Sequence, residues 1–206
     1  MAETTRRRRS DGERSRNAIL REAAQLATVE GINGLSIGRL AEAVGMSKSG
    51  LFAHFGSKEE LQLATIETAR ELFDEIVVEP ALKAPTAIER LRQLIENFLR
   101  HVQDKVYPGG CFYVSVGAEL GAQSGPVRDQ AVALSGEWMQ LVVSTIREAQ
   151  AEGDIDAAED AEQLAFDLTG YLLLGNTQFV VTQQAAAIDR ARRAVERRLA
   201  PATVRS

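Results

Sequence analysis

One cysteine, two histidines and five prolines stand in 206 residues, and Phe, Trp and Tyr together make up only 5%. A lone thiol closes no internal disulfide, so the fold does not depend on an oxidising compartment. Two imidazoles and one thiol leave little from which to build a zinc site, and no metal or cofactor is expected. The shortage of aromatic residues, set against abundant Ala and Leu, argues against a β-sandwich or barrel and for an all-α fold. No uninterrupted apolar run approaches the roughly 18 to 20 residues that span a bilayer, and Met1 to Ser10 has no apolar signal segment. The expected location is the cytoplasm, with no membrane partner.

What is present is enough apolar material for a sizeable core, at 45% of residues, and an uneven charge. Residues 1–58 hold 10 Lys and Arg against 6 Asp and Glu, a surplus of +4, whereas residues 59–206 hold 14 against 23, or −9. A net charge of −5 therefore conceals a basic front end. Such asymmetry fits a chain that meets a polyanion at one end, and it fits equally an ordinary acidic protein with a solvated Arg6-Arg7-Arg8-Arg9 arm.

Apolar spacing predicts about nine helices. Ser15 to Val29 places Ile19, Ala23, Leu26 and Ala27 on one face, with Gly31 at the position of a left-handed C-cap. Two short helices follow, Ser36 to Val44 and Ser47 to Phe55, separated only by Gly45-Met46. Ser57-Lys58-Glu59-Glu60 reads as a capping box opening a long helix from Lys58 to Val78, and Pro80 and Pro85 mark a boundary. Beyond it, helices are expected over Ala87–Val102, Val127–Ala151, Ala158–Gln183 and Ala187–Leu199, with a mixed apolar segment at Cys111–Leu120. The expected organisation is an N-terminal three-helix domain over residues 1–57 and a helical bundle over 58–206.

The tightly joined short pair has the dimensions of a helix-turn-helix, whose second helix enters the DNA major groove with its N-terminal residues toward the base edges. Here those residues are Ser47, Lys48, Ser49 and Gly50. Lys48 is able to donate to guanine or to a phosphate, and the free amides of a helix N-terminus favour phosphate too. Ser36, His54 and Lys58 stand at helix ends, where they would clamp the backbone without reading sequence. Any two short capped helices share this pattern, so spacing alone leaves a purely structural pair open.

The stretch Ile19 to Leu61, above all Leu35-Ser36-Ile37-Gly38-Arg39-Leu40-Ala41-Glu42-Ala43-Val44-Gly45-Met46-Ser47-Lys48-Ser49-Gly50-Leu51-Phe52-Ala53-His54-Phe55-Gly56-Ser57-Lys58, resembles the DNA-binding domain of the tetracycline-repressor (TetR) family. The resemblance covers about a fifth of the chain. It implies a dimeric, usually repressing transcription factor that releases operator DNA when a small-molecule effector enters the C-terminal domain. Carried across, it implies that Ser36 and Lys58 hold phosphates, that Lys48 and Gly50 lie at the groove and that His54 faces the backbone. Phe52 stands where the family often has a tyrosine, and Ala53 replaces a larger groove residue. A phenyl ring packs but donates nothing, so operator contact is expected to lean on Lys48, Lys58 and the Arg arm.

An effector site requires a largely apolar cavity of about 300 to 1,000 Å³. Phe98, Phe112, Tyr113, Trp138, Met139 and Tyr171 are the large side chains available to enclose it, with Asn176 and Gln178 as polar candidates; core packing is the competing role for each. No cluster of charges marks the effector, which is expected to be apolar or amphipathic. The helix Ala161 to Val181 is apolar nearly all round, and pairing it and Ala187 to Leu199 with a second copy makes a four-helix homodimer interface through Leu164, Leu168, Phe179, Ile188 and Val195. Two rival readings centre on Cys111: a thiol enzyme using His101 as base, and a redox switch, which needs an exposed thiol of low pKa. No catalytic residue is expected.

Overall fold

The computed structural model describes residues 2–204, with side chains described from Gly12 onward apart from Glu13. The side chains of the Arg6-Arg7-Arg8-Arg9 arm, proposed above to meet DNA, lie outside the described residues. Among the described residues there are nine helices and no strand, only an isolated bridge between Ile155 and Thr203. They are α1 (Ala2–Glu30), α2 (Ile37–Ala43), α3 (Lys48–Phe55), α4 (Lys58–Phe73, carried on by a π-helical turn at Asp74–Val78 and a last turn at Glu79–Ala81), α5 (Ala87–Gln103), α6 (Phe112–Leu120), α7 (Pro126–Glu152), α8 (Ala161–Thr182) and α9 (Ala185–Ala202). The first helix begins at Ala2 rather than at Ser15: no proline stands between them, and the helix runs through Asp11-Gly12. The mixed segment after Cys111 is helix α6.

Three serines start the short helices. The hydroxyls of Ser36, Ser47 and Ser57 accept from the backbone N–H of Arg39, Gly50 and Glu60, so each helix opens with a satisfied donor, a cap of typically about 1 kcal/mol. The inward faces of α1 to α4 then close a small core of Ile19, Leu20, Leu40, Leu51, Phe55 and Leu61.

A second cluster joins this head to the rest of the chain. Ala24, Ala27 and Ile32 from α1 and its turn meet Ile66 and Ala69 of α4, Phe112 and Val116 of α6, and Ala131 and Leu134 of α7. Gly109 lies flat against the backbone of Thr28, where any Cβ would collide with the carbonyl, and its N–H donates to Thr28 Oγ1 at 3.2 Å. The largest cluster, on α4, α5, α7, α8 and α9, forms the body of the molecule.

Here one expectation is corrected. Leu164, Leu168, Phe179, Ile188 and Val195, predicted to face a second copy, are all buried within the protomer. The helices α8 and α9 lie against each other so closely that a Cβ on Gly175 would stand 2.7 Å from Ala191 Cβ. Ion pairs hold α9 in place: Arg192 bridges both carboxylate oxygens of Glu96 on α5 at 2.8 and 3.1 Å, and Arg198 reaches Glu159 at 2.6 Å and Asp167 at 2.7 Å. The apolar residues left outside are others on α8: Phe166, Leu173, Leu174 and Val181, with exposures of 66, 42, 57 and 77%.

Candidate functional site

The head presents α3 outward. Its first turn is exposed at Ser47, Lys48 and Ser49, Gly50 and His54 are half-buried, and Leu51 and Phe55 turn into the core. Phe52 is 55% exposed, so its ring lies on the outer face rather than packing against the protein itself. Lys48 leans back over the start of α2: a point one Cβ out from Gly38 is 3.5 Å from Lys48 Nζ and 3.9 Å from Ser36 Oγ. The two predicted anion contacts thus flank one spot. Lys58 donates to the carbonyl of Asn33, which ties the start of α4 to the turn between α1 and α2 while leaving the lysine exposed. Arg39, missed in the sequence, is gripped by Glu30 through both carboxylate oxygens, and that pairing raises the arginine and lowers the glutamate relative to their ordinary pKa values.

Between α4, α5, α6, α7 and α8 lies a cavity of about 790 Å³, within the range of small-molecule sites. Of the eight candidates named for it, Phe98, Tyr113, Trp138 and Met139 line it. Phe112, Tyr171 and Asn176 do not. Phe112 is buried in the cluster that joins head and body, and Tyr171 packs against the main core. Asn176 is buried with its Oδ1 accepting from Cys111 N–H at 2.8 Å, a structural bond that fixes the start of α6. Gln178 is exposed. The lining also includes Phe73, Asp74, Thr169 and Leu172, which the sequence did not single out.

Phe73 is the hub of the aromatic wall, with ring centroids 5.5 Å from Trp138, 5.6 Å from Tyr113 and 6.3 Å from Phe98, all edge-to-face. Two hydroxyls in this lining, Tyr113 Oη and Thr169 Oγ1, are buried without a hydrogen-bond partner. Desolvation raises the Tyr113 phenol well above its ordinary value, so it stays protonated and able to donate. Cys111 also borders the cavity, but burial raises its thiol to about 11, which counts against the redox reading. No thiol–imidazole pair forms either, since both ring nitrogens of His101 lack partners.

Head and cavity share two elements. Helix α4 starts beside the head at Lys58 and, more than three turns later, supplies Arg70, Phe73 and Asp74 to the lining. Helix α6 lines the cavity with Tyr113, Val114, Gly117 and Ala118, and its next residue, Glu119, accepts from Ile32 N–H at 2.7 Å and Asn33 N–H at 2.9 Å. One carboxylate therefore caps the turn that leads into the outward-facing helices.

Comparison with known proteins agrees with this arrangement. The model of the bacterial regulatory proteins of the tetR family matches residues 19–65, and that of the tetracyclin repressor-like C-terminal domain matches residues 87–195, more than half of the chain. The transcriptional regulator AcuR of Cereibacter sphaeroides is 26% identical over 161 residues, covering 75% of this chain and 71% of AcuR. A TetR transcriptional regulator from Chloroflexus aurantiacus shares the fold with a TM-score of 0.86 at 22% identity, over 94% of this chain and 98% of that one. AibR, solved with isovaleryl coenzyme A and operator DNA, does so with a TM-score of 0.72 at 24% identity, over 88% and 97%. Among the described residues no helix is long and apolar enough to cross a membrane. The chain belongs to the tetracycline-repressor family and is a DNA-binding transcriptional regulator of that family.

Proposed function

We propose that the protein is a homodimeric repressor, acting in the cytoplasm, that leaves a near-palindromic operator when a small molecule with an apolar body enters the cavity. Residues 1–57 serve as the reading domain and 58–206 as the sensing and dimerising domain. Ser47, Lys48, Ser49, Gly50 and Phe52 meet the groove, and Ser36, His54 and Lys58 meet the backbone. Among the described residues Lys48 has no carboxylate partner, so it is available to phosphate or guanine.

The observation that carries the reading is the double attachment of the cavity to the head, through α4 and through Glu119 on α6. A molecule that displaces either wall moves the recognition helix. In a twofold assembly with those helices about 34 to 36 Å apart, such a movement spoils the fit to successive major grooves. The exposed stripe Phe166, Leu174 and Val181 on α8 supports the twofold partner, because three large apolar side chains on one helix face are otherwise left in water.

The test is a pair of titrations. Genome fragments that the protein selects supply the operator, and a compound chosen by thermal shift supplies the ligand. Linkage requires operator to weaken ligand binding by the factor by which ligand weakens operator binding, typically about 5- to 150-fold. Equal ligand affinity with and without operator would end the proposal.

A further inference from the structure

The charges at the mouth of the cavity are not balanced. Among the described residues the lining contains one cation, Arg70, and two carboxylates, Asp74 and Glu137. A third carboxylate, Glu67, stands just outside. Arg70 already faces all three, at 3.7 Å from Glu67, 3.7 Å from Asp74 and 3.4 Å from Glu137. One guanidinium against three carboxylates leaves a surplus of two negative charges at the entrance to an aromatic chamber.

The three classes of head group meet this entrance differently. An anionic ligand has to pull Arg70 away from carboxylates that hold it from three sides, and it then lies among the carboxylates left behind. A neutral ligand leaves the surplus uncompensated. A cation neutralises it, and the aromatic wall of Phe73, Phe98, Tyr113 and Trp138 also suits a cation, since ring faces attract positive charge. In the same lining, Tyr113 Oη and Thr169 Oγ1 lack partners although Thr169 is only 9% exposed, so the chamber is also built for a hydrogen-bonding atom on the guest.

Resting on the ligand-sensing reading above, we propose that the effector is a lipophilic organic cation, its ammonium group seated between Asp74 and Glu137 and its apolar body among Phe73, Phe98, Trp138 and Met139. The local field agrees with it. Burial raises the Asp74 carboxyl above its ordinary range; Arg70 opposes the shift, and Glu137, Glu79 and Glu67 add to it. Asp74 and Val78 also belong to the π-helical turn of α4, so the ammonium would sit directly on the irregular stretch of the helix that leads to the head.

Trp138 is the only tryptophan and lines the cavity, so its emission reports occupancy. Three probes share one apolar body and differ in head charge: decyltrimethylammonium, decanol and decanoate, each used well below its micelle concentration. The full chain is expected to bind the cation about tenfold more tightly than the alcohol, with decanoate weakest. The double variant Asp74→Asn with Glu137→Gln should bring the cation down to the level of decanol, while Arg70→Gln leaves the order intact. Decanoate binding most tightly, the three binding equally, or a cation preference surviving in the double variant would each overturn the charge assignment and leave ligand sensing standing. Silence of Trp138 toward all three, up to millimolar concentration for the two charged probes and to saturation for decanol, would overturn both.

Discussion

Both ring nitrogens of His101 are buried without hydrogen-bond partners, with the ring edge-to-face against Phe73 at 5.8 Å and Tyr107 at 5.7 Å. Desolvation pushes its pKa down to about 4 from an ordinary 6.5. The unfolded chain therefore takes up this proton first as the pH falls. Stability from His101 is complete above about pH 7, declines between about 6.5 and about 4, and changes no further below that, for a total near 3 kcal/mol at most. Urea denaturation at a series of pH values should show this slope in the wild type and its disappearance in His101→Phe. At this scale the caps were legible: Ser36, Ser47 and Ser57 announce themselves because a hydroxyl before an apolar repeat has one favourable use. The lining was legible only in part. Phe112 and Phe98 are equally apolar, and which of them borders empty space depends on how helices distant in sequence are stacked.

Among the elements, α4 and α8 differ most from what their sequences suggest. The long helix from Lys58 was expected to run unbroken to Val78, but it opens into a π turn at Asp74–Val78, and Asn97 Nδ2 donates to the carbonyl of Val77 there at 3.0 Å. No residue type in Asp74-Glu75-Ile76-Val77-Val78 predicts that turn; the partner that accommodates it comes from α5. In α8 the sequence suggested more apolar surface than one neighbour covers, and the residues it assigned to a second copy are the ones buried inside the protomer. The stripe with Leu164 and Leu168 is taken by the protomer's own core, and the stripe with Phe166, Leu174 and Val181 is left outside. Phe166→Glu combined with Leu174→Glu is thus expected to give a folded monomer in sedimentation and about tenfold or weaker operator binding, since a half-site alone loses the paired contact. A variant that remained dimeric would place the twofold contact elsewhere.

For the molecule as a whole, the turn at Ile32 and Asn33 is where a wall of the cavity meets the head. Glu119 holds both amides from a helix 86 residues further along the chain. Glu119→Gln keeps one acceptor oxygen but loses the charge and the second bond. Paired titrations on this variant should show ligand affinity in the absence of DNA close to wild type, with the mutual weakening of ligand and operator reduced about tenfold. Undiminished coupling would assign the transmission to α4 alone.

Helix periodicity, serine caps and the motif from Leu35 to Lys58 are local quantities, settled by residues within a few turns of one another, and the helical class, the outward-facing α3 and the family could be read from them directly. The cavity, the inner and outer faces of α8, the π turn and the grip of Glu119 are relations between helices tens of residues apart. An apolar side chain gains about as much from one dry neighbour as from another, so composition says that Leu164 or Phe166 will seek cover without saying which finds it inside the same chain. Packing made that choice when α9 closed over Gly175 and when Arg192 and Arg198 locked it there.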